Sequence, residues 1–285
     1  MESNRSTKSI VITGCSSGFG RVTALHLARK GWRVLATVRK ASDQQNLLDE
    51  WQSERGNGEL IPIVCDLLKD EQVTDLRRVV ANVTPRLDAL LNNAGTVFPG
   101  PLETLPLRDL RAQLEINTVA HIAVTQALLP LLKAARGMIL NVSSMGGRVA
   151  FPITGPYHAS KFALEALSDA LRIELAPFGV RVVVLEPGGS YTSIWGKGET
   201  QGQVVDDSPS NAYRGLLESY MQISRRTAEG GFPPQRFAEL VERVLATPHP
   251  RARYPLGRWV GSVITLRRLL PDWVWDAWVR RMYRR

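Results

Sequence analysis

Six short apolar runs punctuate the chain, at residues 9–13, 33–38, 60–65, 87–92, 137–142 and 180–186. They are rich in Val, Ile and Leu and do not alternate with polar residues, which is the pattern of strands buried on both faces. Between them, apolar positions recur at helical spacing over 20–30, 44–53, 70–84, 107–132 and 157–178. Repeated strand–helix–strand order predicts an α/β fold: a doubly wound parallel sheet (the Rossmann fold) with helices on both faces and right-handed crossovers. No internal repeat and no Pro/Gly/Ser-rich linker divides residues 1–285, so a single domain is the economical reading.

Residues 188–234 break this rhythm, with Gly, Ser, Asp and Pro preceding a helical patch around Tyr213, Leu216, Leu217 and Tyr220. Such a late insertion is read as a substrate-covering loop, with a surface excursion as the plain alternative. In the tail, residues 256–285, Leu269, Leu270, Trp273, Val274, Ala277, Trp278 and Met282 recur at helical spacing beside Arg280, Arg281, Arg284 and Arg285. A basic amphipathic tail of this kind either makes peripheral contact with a membrane or packs on its own domain or a neighbouring subunit.

Composition narrows the picture. The chain has 285 residues, 44% of them hydrophobic, enough for a sizeable core. Its formal charge of +9 is uneven, with Arg251, Arg253, Arg258, Arg267 and Arg268 adding to the tail arginines. No zinc-finger spacing or basic region joined to heptads accompanies it, so no nucleic-acid partner is expected. Cys15 and Cys65 make no disulfide scaffold and fit a reducing compartment. Residues 1–9 are polar, without a signal-peptide stretch, and no run is read as long enough to span a bilayer, so a cytoplasmic location is expected. His26, His121, His158 and His249 do not cluster, and no metal is expected.

The first strand enters Thr13-Gly14-Cys15-Ser16-Ser17-Gly18-Phe19-Gly20, and a helix follows. A strand–glycine turn–helix unit suits a pyrophosphate: glycines let the backbone approach, and the helix N-terminus offers N–H groups and partial positive charge. The second strand ends at Arg39 and Lys40 with no carboxylate before Asp43. Arg39 there favours a 2′-phosphate, hence NADP over NAD, unless it is only a solvated strand-end charge. Asp66, followed by Leu67, is placed either to accept from an adenine amino group or to cap the next helix.

Tyr157 and Lys161 stand four apart at the start of a helix and so share a face. A nearby ammonium favours the phenolate and lowers the tyrosine pKa, which makes the phenol usable in proton transfer to or from an oxygen. Ser143 and Ser144 end a strand upstream, on the edge of the sheet that faces a ligand crevice. A hydroxyl there either holds a substrate oxygen or caps a turn.

In combination these features resemble the short-chain dehydrogenase/reductase family from Ile10 to about Thr192. Thr13-Gly14-x-x-x-Gly18-x-Gly20 looks like its cofactor turn, Asn92-Asn93-Ala94-Gly95 like its sheet-steadying motif, Tyr157-x-x-x-Lys161 like its catalytic pair, and Pro187-Gly188 like the turn before its substrate loop. The resemblance implies that Ser144 polarises the substrate oxygen and that Lys161 contacts the nicotinamide ribose and lowers the Tyr157 pKa. It also implies that Asn117 holds a water in a proton relay, Thr192 binds the carboxamide, Asn93 and Gly95 line the adenosine ribose, and Val142 and Pro187 lie near the nicotinamide. Dimers or tetramers are implied too. One position departs: many NADP-preferring members carry a basic residue where this chain has Ser17, which keeps NAD open.

Met145, Val149, Phe151, Tyr191, Ile194, Trp195, Tyr213, Leu217 and Tyr220 would form an apolar pocket for a lipophilic alcohol or carbonyl. Within the family, the cofactor turn and Ala36-Thr37-Val38-Arg39 look most like the steroid and retinol dehydrogenase branch. An oxidoreductase interconverting an alcohol with a ketone or aldehyde is the leading expectation. The alternative is a cofactor-binding protein that regulates or scaffolds without catalysis.

Overall fold

A computed structural model describes residues 7–53, 56–190 and 212–283. Seven strands form one parallel sheet: β1 Ser9–Ile12, β2 Arg33–Val38, β3 Glu59–Val64, β4 Ala89–Asn92, β5 Met138–Val142, β6 Arg181–Pro187 and β7 Arg253–Leu256. Their spatial order is β3-β2-β1-β4-β5-β6-β7, and every neighbouring pair is parallel. The winding direction reverses between β1 and β4, which is where open parallel sheets bind ligands at their carboxyl ends.

The unbroken apolar runs follow from burial on two sides. Along β1, Ile10 and Ile12 enter one hydrophobic cluster and Val11 the other; in β5, Met138 and Leu140 part from Ile139 in the same way. The first cluster is closed by α1 Gly18–Arg29, α2 Ala41–Ser53 and a helix late in the chain, Pro234–Ala246. The second is closed by α3 Asp70–Val83 and by the helix over Ala120–Ala135.

The helix expected over 107–132 is in fact α4 Leu107–Leu114, a π-helical turn Glu115–Val119, and α5 Ala120–Ala135. Asn117 lies within the π turn, and its side chain is held by the Thr96 backbone. By length and composition this stretch is apolar enough to cross a membrane, which corrects the expectation that no run is. Its apolarity has a core role here, because Val124, Leu128 and Leu132 are buried in the second cluster.

α6 Gly155–Glu174 follows β5 and is continued by a 3-10 turn at Ala176–Phe178. Of residues 188–234, Ser190 and Phe232 are joined by an isolated bridge, and Ser190 Oγ donates to the Phe232 carbonyl at 2.8 Å. This closes the ends of the excursion, which carries α7 Arg214–Glu229. Three elements were not anticipated: α8 Pro234–Ala246, the edge strand β7, whose Arg-Tyr-Pro-Leu is no apolar run, and the division of the tail. Pro271 breaks the tail into α9 Val260–Leu269 and α10 Asp272–Met282. The tail packs on its own chain: Trp275, Val279 and Tyr283 are buried with Val149.

Candidate active site

The carboxyl ends of β1, β4, β5 and β6 open onto a cavity of about 1010 Å³. One end is the glycine turn. Gly14 has φ +72°, and a Cβ on it would come within 2.8 Å of Ala94 Cα, so the turn can lie against residues 93–95 only as glycine. Thr13 Oγ1 accepts from the N–H groups of Asn93 (2.9 Å) and Ala94 (3.0 Å), and Asn93 Nδ2 donates to the Thr13 carbonyl at 2.8 Å. Thr37 secures the other side, its Oγ1 accepting from Gly14 N–H at 3.3 Å and its carbonyl from Cys15 N–H at 2.8 Å. Ser16, Ser17 and Gly18 border the cavity, and the first turn of α1 holds no acidic residue.

Gly20 does not line the cavity. A Cβ there would meet the Gly14 carbonyl oxygen at 2.4 Å and Asn93 Nδ2 at 2.5 Å, so this glycine serves close packing of α1 against the turn. The Phe19 ring stacks on Phe237 with centroids 4.2 Å apart. Arg39, Lys40, Asp66 and Leu67 line the same end as the turn, and Asn93, Ala94 and Gly95 lie on its wall. Asp66 is not the N-cap of α3, which is Lys69; its carboxylate accepts from Leu68 N–H at 3.2 Å. Close-approach glycines, a helix N-terminus and two cations at one end fit a dinucleotide whose pyrophosphate lies on the turn.

At the middle of the cavity stand Ser144, Tyr157 and Lys161. The Ser144 hydroxyl is hydrogen-bonded with the Tyr157 phenol, accepts from Gly146 N–H at 3.0 Å, and donates to the Pro187 carbonyl at 3.3 Å. Lys161 Nζ lies 5.9 Å from the Tyr157 ring centroid and donates to the Val142 carbonyl at 2.8 Å. Burial drives the Lys161 pKa down to about 8, with Glu165 opposing. Burial raises the Tyr157 pKa, and the hydrogen bond with Ser144 opposes it. The expected lowering of the phenol is therefore not met, because desolvation of a phenolate costs more than the neighbouring groups return.

Asn117 lies beneath this group and does not line the cavity. Its Oδ1 accepts from Thr96 N–H at 2.9 Å and its Nδ2 donates to Ser160 Oγ at 3.1 Å, one turn from Tyr157. Ser143, the other candidate, also borders the cavity, but its side chain is buried and its Oγ lies against Gly147. Pro187 and Gly188 border the cavity beside Val142. Thr192 and the pocket candidates Tyr191, Ile194 and Trp195 lie outside the described residues.

The far end of the cavity is apolar: Met145, Phe151, Tyr220, Ile223, Val263 and Met282 line it. Three expected pocket residues do other work. Val149 packs on Trp275, Leu217 is buried away from the cavity, and the Tyr213 hydroxyl donates to Glu103.

Residues 8–202 match the short chain dehydrogenase family. The chain belongs to that family. It is an oxidoreductase that uses a nicotinamide cofactor. Among similar proteins of the family is the mouse (Mus musculus) protein named retinol dehydrogenase 5, 36% identical over 94% of this chain and 86% of its own length. The NADPH-dependent 3-dehydrocapnine reductase of Ornithobacterium rhinotracheale is 34% identical over 86% of each chain. The solved alcohol dehydrogenase of Thermococcus sibiricus, complexed with 5-hydroxy-NADP, superposes with a TM-score of 0.72 at 25% identity, covering 88% of this chain and 96% of its own.

Several roles in this short-chain dehydrogenase site were not legible from the motifs. Thr13, just after β1, and Thr37, in β2, brace the turn from two sides. His121 Nε2 hydrogen-bonds the Ala94 carbonyl at 2.7 Å; burial, with the Lys161 charge adding, drives its pKa down to about 3, so the ring is neutral. Arg253, counted from sequence among the tail cations, turns inward to Glu165 (2.9 Å) and Asp169 (2.7 Å). The helical spacing of Trp278 and Met282 was legible, but their place on the cavity wall was not.

Proposed function

We propose that the enzyme interconverts a lipophilic alcohol with its ketone or aldehyde, using Tyr157 as the acid/base and NADP in preference to NAD. The observation that carries this is the position of the Ser144–Tyr157 pair: it sits in one cavity between a cation-bearing, glycine-lined end and an apolar end.

The chemistry the cofactor supplies when bound is transfer of a hydride to or from the carbinol carbon. The protein's part is on the oxygen. Ser144 orients the carbonyl oxygen and stabilises its developing charge, and Tyr157 gives it the proton in reduction or takes it in oxidation. Lys161 places positive charge beside the phenol and the ribose position, and Asn117 links the π turn to the Tyr157 helix through Ser160. Asn93 and Gly95 serve the adenosine side, with the turn residues Gly14, Ser16, Ser17 and Gly18 on the phosphates.

Arg39 and Lys40 supply the charge that a 2′-phosphate requires, and the NADP-linked names of two similar proteins support that preference. The apolar far end and the retinol dehydrogenase relative support a lipophilic substrate. The test is initial rates with NADPH and NADH against a panel of lipophilic ketones and aldehydes, with Tyr157→Phe beside the native chain. That variant is expected to bind NADPH normally and to lose turnover by about 10²–10⁴-fold, the usual worth of a positioned acid/base. Activity confined to small hydrophilic sugars, or full turnover by the variant, contradicts the reading.

A further inference from the structure

The C-terminal helices are at once a wall of the cavity and a face of the molecule. On the inner side, Val260, Val263, Met282 and Tyr283 line the cavity. On the outer side the two helices expose apolar groups where soluble helices normally carry charge. At 100° per residue, the pole of α9 opposite buried Val260 and Ile264 holds Ser262, Leu266 and Leu269. The pole of α10 opposite Trp275 and Val279 holds Trp273 and Ala277, flanked by Arg280 and Arg281. Leu269 and Trp273, on either side of the Pro271 turn, are 75% and 74% exposed. Trp259 and Trp278 are exposed and also line the cavity, so they form its rim.

Residues 256–285 hold seven arginines against two aspartates, and Asp272 is already paired with Arg267 at 2.6 Å. Exposed tryptophan and leucine bordered by guanidinium groups match the layered chemistry of a bilayer surface: phosphates outside, acyl chains beneath. A second copy of this chain fits less well, because an isologous contact through this face would set the basic patch against itself.

We propose that the α9–α10 pair docks on an anionic lipid bilayer, with Leu269 and Trp273 entering the acyl boundary and Arg268, Arg280 and Arg281 meeting the phosphates. The Trp259–Trp278 rim then faces the interface, and a lipophilic substrate passes from lipid into the cavity. That last step rests on the function proposed above; the docking does not.

The test is co-sedimentation of the full chain with vesicles of phosphatidylcholine alone and of phosphatidylcholine mixed with phosphatidylglycerol, at low and high salt. Binding is expected to the mixed vesicles only and to weaken with salt. It should fall about tenfold in the double variant Leu269→Glu/Trp273→Glu and comparably in Arg280→Glu/Arg281→Glu. NADPH affinity, read by fluorescence, should not change in either variant, which shows that the fold survives. Three outcomes overturn the proposal: failure to bind mixed vesicles, equal binding by native chain and variants, or a native dimer that ignores vesicles and dissociates in the first variant. None of these readouts requires turnover, so a wrong substrate class leaves the docking result interpretable.

Discussion

His158 Nδ1 donates to the backbone carbonyl of Gly146 at 2.9 Å, and through that contact the residue after the tyrosine holds the turn that carries Ser144. Its Nε2 meets Thr154 Oγ1, also at 2.9 Å, and Gly146 N–H in turn donates to Ser144 Oγ. Burial lowers the His158 pKa, so the neutral Nδ1–H tautomer that this chain of bonds requires is the stable one. His158→Phe removes both of these hydrogen bonds; the one that reaches the Ser144 turn, through Gly146, is of ordinary strength, about 1 kcal/mol, and its loss should lower kcat roughly fivefold. The KM for NADPH should stay put, because the cofactor end does not touch this turn. A loss confined to KM would show that His158 acts elsewhere.

Lys161 predicts the alkaline limb of the rate. Its ammonium persists below a pKa of about 8 and is lost above it, so kcat/KM should fall as pH rises through about 8. Glu165 opposes that depression. Glu165→Gln should therefore move the limb to lower pH, which a pH–rate profile of the two proteins reads directly. An unmoved limb would separate it from Lys161.

Arg39 should set cofactor choice. Arg39→Ser removes a charge-assisted contact worth about 1.5–3 kcal/mol, and should raise the KM for NADPH roughly tenfold or more while leaving NADH nearly unchanged. Equal effects on both cofactors would place Arg39 outside 2′-phosphate recognition.

Phe237 should anchor the turn from below. It is fully buried, and its ring stacks on Phe19, the residue between the last two glycines. Phe237→Ala should cost about 3–5 kcal/mol in urea unfolding, as other large-to-small core changes do. A cost below 1 kcal/mol would mean that the site collapses around the gap.

The first six strands could be read along the chain because burial on two faces leaves a run of Val, Ile and Leu that needs no partner to be recognised. β7 could not: an edge strand of Arg-Tyr-Pro-Leu takes its identity from pairing with β6, and the ladder is a property of two segments. The π turn at Asn117 was equally hidden, since the hydrogen-bond partners of that side chain, Thr96 and Ser160, lie in other segments. Gly14, Gly18 and the Tyr157–Lys161 spacing announced themselves because glycine and helical periodicity are local constraints. The Thr37–Gly14 and His158–Gly146 contacts did not, because each joins separate segments of the chain.

The sequence by itself determined the parallel sheet, the glycine turn and the tyrosine–lysine pair, each a short-range consequence of side-chain size, backbone freedom or helical period. Only the tertiary structure decided that the phenol is driven up rather than down, that Arg253 faces inward, and that the basic tail walls the cavity. Those outcomes depend on burial and on neighbours distant along the chain. Desolvation, ion pairing and packing exist only once the chain has folded.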